Sequence, residues 1–206
     1  MENVTDRTRN PFGMTPPCER FVPGYGDVNA HFHLVGDHPG VHGGSETGVP
    51  FTGTPAAMRL QDALASVGLL ETTGEAPAVA NLFMSYRYPC IGAPPTADDY
   101  ARLEPTFDAE LRAIAPHVIL PVGERTIDFV LRTYTSRDPR AAAETLHGTE
   151  RHGQGFLVVP IREPAEWDDG DREHLVSGLR ELLATDYRRE ADLGRFLPGG
   201  DRYLVR

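Results

Sequence analysis

The chain has 206 residues and a formal net charge of −10, and its twenty basic residues are all arginine. That length suits one domain with short tails. The absence of lysine excludes a lysine Schiff base and so a lysine-dependent lyase step, and the acidic balance argues against a nucleic-acid partner unless a local basic rim outvotes it. No stretch reaches the ~20 apolar residues of a membrane helix. The polar start, Met1 to Pro17, leads into no apolar run, so no signal peptide is expected. A soluble, cytoplasmic protein follows. Cys18 and Cys90 form neither a CxxC pair nor a zinc pattern. They are expected as two reduced thiols, with one disulfide as the alternative.

Residues 1–28 are rich in Pro, Gly and polar groups and read as an irregular arm. The run Ala30 to Val35, AHFHLV, alternates before Gly36 and predicts a first strand. Thr54-Pro55 is a helix cap followed by proline at the first helical position. Met58, Leu60, Leu64 and Val67 then recur at helical spacing until Gly68. Ala78 to Ser85 reads as a second strand. Thr96 caps another helix, with Asp98 and Asp99 in its first turn, and Pro105 is expected to break or restart it. HVILPV, His117 to Val122, is a third strand, followed by a helix from about Arg125 to Thr133. Residues 134–153 read as irregular. FLVVP, Phe156 to Pro160, is a fourth strand, and a last helix runs from about Asp171 to Tyr187.

Strands alternating with helices predict an α/β fold: a three-layer αβα sandwich around a central four-stranded parallel sheet. The main domain is placed at 29–190, and a tail with clustered arginines at 191–206. In such sheets, ligands bind beyond the carboxyl ends of the strands. The rule points to Gly36–Gly40, the segment around Asn81–Arg87, Gly123–Glu124 and Ile161–Pro164.

The sharpest segment is GDHPGVHGGSETGVPFTG, Gly36 to Gly53. It offers an acid, two histidines and an aromatic on a glycine-rich path that lets backbone approach a ligand. His31 and His33 lie within the first strand and read as structural. His147 and His152 receive no role.

This segment resembles the first motif of the uracil-DNA glycosylase superfamily, in the form GLAPAAHG-x-x-x-TG-x-x-FTG of its archaeal and thermophile branches. The order continues. Asn81 ends an apolar run as the asparagine of TNVV does, and TADDYARLEPTFDAEL and APHVILPVG resemble the motifs that follow. The resemblance spans about residues 20 to 165.

It implies removal of uracil or another deaminated base from DNA, single- or double-stranded, after the nucleotide flips into a pocket. The protein would act as a monomer, with no metal, no other cofactor and no lyase step. Gly36, Pro39, Gly40 and His42 would form the loop, Phe51 would stack on the base, and Asn81 would read its edge. Asp37 and His38 would position or activate water. Two departures stand out. The iron–sulfur branch has four cysteines, and its third and fourth positions fall on Ser85 and Leu103. The histidine of the family's HPS turn is replaced by PIREP, in which Arg162 is the candidate donor to the leaving base. The alternative reading is a catalytically degraded relative that binds DNA or a free base. A scaffold that keeps only the fold is a third.

Overall fold

The structure, a computed structural model, describes residues 8–135 and 143–188. The tail at 191–206 lies outside the described residues.

The strands are β1 (Tyr25–Gly26), β2 (Phe32–Gly36), β3 (Leu82–Tyr86), β4 (Val118–Pro121), β5 (Arg151–His152) and β6 (Leu157–Val158). They form one six-stranded sheet in the order β1-β3-β2-β4-β6-β5. The four middle strands are parallel, and β1 and β5 pair antiparallel at the two edges. The expected parallel four-stranded centre is present, and the two edges extend it to a mixed sheet.

β2, FHLVG, and β3, LFMSY, are buried along their whole length because helices cover both faces. On one face, Phe32, Leu34, Leu82, Met84, Val118 and Leu120 share a core with Leu60 and Leu64 of α2 (Pro55–Ser66) and Leu175 and Leu179 of α6 (Asp171–Leu183). On the other, Val35, Ile119 and Val158 pack against Phe107 and Leu111 of α3 (Ala97–Ile114) and Ile127, Val130 and Leu131 of α4 (Glu124–Tyr134). The described residues also include two short helices, α1 (Pro39–His42) and α5 (Ala143–Leu146).

The loop after β2 leads to α2 on one face, and the loop after β4 leads to α4 on the other. The two loops leave adjacent strands in opposite directions, the arrangement beside which sheets of this kind bind their ligands.

Residues 134–153, read as irregular, supply α5 and β5, and three further expectations change. α3 runs unbroken through Pro105. Proline removes one intrahelical hydrogen bond, but Leu103, Phe107, Leu111 and Ile114 on either side are buried and hold the helix on the sheet. A Thr96–Asp99 capping box fixes its start. Second, the arm is not wholly irregular: it supplies β1 and runs along the segment after β3, with Val22 N donating to Pro89 O at 2.9 Å and Ile91 N to Arg20 O at 2.9 Å. Third, Cys18 and Cys90 form a disulfide across 72 residues. The thiols looked independent because sequence spacing says nothing of an arm folding back onto the end of β3.

Candidate active site

Asp37 follows the last residue of β2 and is buried. His38 sits extended at the N-cap of α1, where its Nδ1 accepts from Gly40 N at 3.1 Å. That bond places the ring's proton on Nε2 in the neutral form. Burial lowers the His38 pKa, with the charge of Asp37 pulling the other way, so the neutral ring is favoured at neutral pH. Pro39 starts α1 and His42 ends it.

The Asp37 carboxylate is held from two sides. Tyr100 of α3 donates its hydroxyl to one oxygen. Arg125 of α4 donates to the other at 3.2 Å and to the Tyr100 hydroxyl at 3.0 Å. Burial, and then the bond to Asp37, push the Tyr100 phenol up to about 12. The Arg125 side chain is 59% exposed and forms the rim. Behind it, the Arg87 guanidinium lies 3.6 Å from the centre of the Phe129 ring and 4.8 Å from that of Tyr100, a cation–π arrangement. Sequence reasoning reached Arg87 only as the end of the segment around Asn81–Arg87, with no role for it, and passed over Tyr100 and Arg125. The strand-end rule stopped at Glu124, one residue short of Arg125.

Phe51 packs against this loop. Its ring is buried and stacks on His42, with centroids 5.5 Å apart, and lies 5.2 Å from the Tyr86 ring. Its backbone adopts φ +57°, held by Phe51 N donating to the Tyr86 hydroxyl at 2.7 Å and Gln61 Nε2 donating to Phe51 O at 2.6 Å. Tyr86 in turn donates to Gly43 O at 3.0 Å. One hydroxyl therefore clips both limbs of the loop. Gly36 makes the packing possible, since a Cβ there would lie 2.7 Å from the Phe51 and Tyr86 rings.

Asn81 does not reach the site. It stands before the first residue of β3, in a left-handed turn at φ +58°, where its Oδ1 accepts from His31 N at 2.7 Å. Five strand residues separate it from the carboxyl end, about 17 Å. The apolar run AVANLFMS reads as one strand, but this turn interrupts it. Tyr86 and Arg87 occupy the strand end that Asn81 was expected to fill.

Arg162 is also turned away. Its guanidinium pairs with Asp171 at 2.8 Å and Asp168 at 3.1 Å, at the start of α6. Its backbone N donates to His147 Nδ1 at 3.0 Å, and His147 Nε2 meets Asp171 O at 2.9 Å. His147 thus braces this loop. The neighbouring Glu163 enters the site instead, its Oε2 2.9 Å from His42 Nε2.

The residues do not fit an iron–sulfur cluster. Four thiolates are needed, and the two cysteines are consumed in the disulfide. Ser85 and Leu103 do line a common cavity of about 30 Å³ with Met14, Pro16 and Glu110, but they bring no thiol. Among the described residues no cluster of three or more His, Cys, Asp or Glu is arranged to hold a metal ion. Ser85 instead bonds the buried His33 Nε2 at 2.8 Å. Burial lowers the His33 pKa to about 3 and raises that of Glu110 to about 7.

A profile of the uracil DNA glycosylase superfamily matches residues 23–177. The chain belongs to that superfamily. Its relatives include the type-5 uracil-DNA glycosylase of Pyrobaculum aerophilum, 29% identical over 184 residues, covering 85% of this chain and 77% of the relative. The enzyme of the same name from Thermus thermophilus is 43% identical over 68 residues, 33% of this chain and 31% of the relative. That from Mycobacterium leprae is 29% identical over 140 residues, 64% and 61%. Among the described residues no helix is long and apolar enough to cross a membrane.

Proposed function

We propose that this protein is a monofunctional DNA glycosylase that hydrolyses the N-glycosidic bond of uracil or another deaminated base. The observation that carries the reading is the buried Asp37 carboxylate at the carboxyl end of β2, gripped by Tyr100 and Arg125 beside a neutral His38. Hydrolysis of such a bond builds positive charge on the sugar and needs a water aimed at the same carbon. A fixed carboxylate serves both needs, as it accepts a proton from water and faces the developing cation. His38 can orient that water, its Nε2 carrying the ring proton. Tyr100 and Arg125 keep the carboxylate in place before substrate arrives, so little reorganisation accompanies the reaction.

The exposed face of Arg125, with Arg87 behind it, would meet DNA phosphates flanking the flipped nucleotide. Binding should weaken as salt rises. The protein would work as a monomer in the cytoplasm. The family resemblance, through relatives named for uracil, favours uracil as the base.

The test is excision from oligonucleotides carrying uracil or hypoxanthine, in single and double strands, at low and high salt. Asp37→Asn should slow wild-type excision by about 100-fold or more while DNA binding persists. Activity of the Asn variant within about threefold of wild type would remove Asp37 from the chemistry.

A second reading has its own observation. Phe51 is covered by His42 and Tyr86, and Arg162 is committed to α6. These favour a superfamily member that binds DNA without excising a base. Saturable DNA binding, with no excision of any base under any salt condition, would select it.

A further inference from the structure

The histidine missing from the last loop has a counterpart contact: the last loop reaches a histidine of the first. Asp37 N donates to His42 Nδ1 at 3.0 Å. A backbone N–H can only donate, so Nδ1 is unprotonated and the neutral ring carries its proton on Nε2. That proton points at Glu163 Oε2, 2.9 Å away. The Glu163 carboxylate is itself anchored, because Glu163 is the N-cap of the turn Pro164–Glu166. Gly123 lies between the two loops, and a Cβ there would approach Glu163 Oε2 to 3.0 Å and His42 Nε2 to 3.4 Å. The ring plane is fixed by stacking on Phe51 and Tyr86, at interplanar angles of 30° and 23°. His42 is buried, and the Glu163 side chain is 18% exposed.

We infer that Glu163 is a positioning residue that sets the His42 tautomer and, through it, the main chain at Asp37. The role rests on Asp37 acting in base excision as proposed above, whereas the tautomer does not. The carboxylate rewards the Nε2–H form, and only that form has a lone pair for Asp37 N–H. With Asp37 N tied inward, its side chain leaves the strand end in the one direction where Tyr100 and Arg125 meet it. The loop after β6 thereby helps aim a carboxylate on the loop after β2. A ring that gains a proton on Nδ1 must release Asp37 N–H.

The test uses the full chain labelled with ¹⁵N-histidine, read by long-range ¹H–¹⁵N NMR at neutral pH with no ligand. Wild type should show His42 as a single Nε2–H tautomer with a slowly exchanging, downfield ring proton. Glu163→Gln keeps an acceptor but removes the charge, so the tautomer should persist while the ring proton moves upfield. Glu163→Ala should give a mixture of tautomers and speed exchange of the Asp37 amide by about two- to tenfold, the value of one ordinary hydrogen bond. If excision is measurable, Glu163→Ala should lower kcat by up to about 100-fold with little change in KM, and Glu163→Gln should recover part of the loss.

An Nδ1–H tautomer in wild type overturns the inference. So does a ring proton unmoved in Glu163→Gln, which decides the matter even where the Ala variant fails to fold. A confirmed tautomer with no excision by wild type would leave the positioning contact standing and sink only the glycosylase reading.

Discussion

Breaking the Cys18–Cys90 disulfide should cost stability without dismantling the arm. The two cysteines are 72 residues apart, and for a closed loop of that size the chain-entropy estimate is about 4 kcal/mol. For a domain of this length each kcal/mol moves the melting temperature by about 2–4 °C, so reduction should lower it by roughly 10–15 °C. The arm keeps other ties. Val22 bonds to Pro89, Ile91 to Arg20 and Asp27 to Leu82, at 2.9–3.0 Å, and Phe21 bridges Cys90 in an antiparallel contact. The loss therefore acts mainly through a freer unfolded chain, and the folded arm should stay docked. The assay is calorimetric melting of the protein with and without a phosphine reductant, alongside the Cys18→Ser/Cys90→Ser variant. Thiol titration under denaturing conditions should find no free thiol before reduction and both after it. A shift below about 3 °C would refute the entropic argument. Rapid proteolysis of the arm in the reduced but folded protein would refute the claim that its backbone bonds suffice.

Tyr86→Phe should orphan the buried Phe51 N–H and Gly43 carbonyl, costing about 1–3 kcal/mol for each group; urea unfolding would show it, and an unchanged midpoint would mean that the hydroxyl clips nothing. Glu110 and His33 set opposing pH dependences. The folded pKa of Glu110, about 7, lies above its unfolded value, so the folded form holds its proton more tightly and stability falls as pH rises from about 4.5 to 7, by on the order of 3 kcal/mol. The folded pKa of His33, about 3, lies below its unfolded value, so stability falls as pH drops from about 6.5 toward 3. The two nearly cancel between about pH 4.5 and 6.5, and Glu110→Gln should remove one arm of the balance. Relative to wild type, that variant should gain stability between pH 5 and 8, and a flat difference curve would contradict the burial argument. Arg162→Ala should leave excision and DNA binding intact, because its guanidinium serves Asp168 and Asp171; a large loss of rate would return it to the site.

The parallel centre of the fold was legible because alternating strands and helices leave few arrangements for a chain of this size. The loop residues Asp37, His38, His42 and Phe51 were legible for a related reason: they lie in one continuous segment after a strand, and the strand-end rule places that segment. Asn81 failed because apolar character continues across the left-handed turn that precedes β3, and no composition signal marks that turn. Arg162 failed because two aspartates, Asp168 and Asp171, compete for it within the next ten residues. Tyr100 and Arg125 were illegible individually, and Arg87 and Glu163 fell inside strand-end segments without a role. Each is an ordinary polar residue on its own element, and they acquire meaning only when α3, β3, α4 and the loop after β6 converge on one carboxylate and one imidazole. The disulfide belongs to the same class, since no rule of spacing links positions 18 and 90.

The two edge strands are each two residues long, Tyr25–Gly26 and Arg151–His152. A sheet edge is ordinarily a template on which another chain can add a strand, and very short edges are one way of blunting it. Here each flank offers too few free backbone groups to seed a ladder between molecules. A crowded solution of this protein should therefore resist fibrillar, edge-to-edge growth, and the backbone of the sheet stays closed to extended peptides. Among the described residues, the surfaces left for other macromolecules are the helices and the loops at the strand ends.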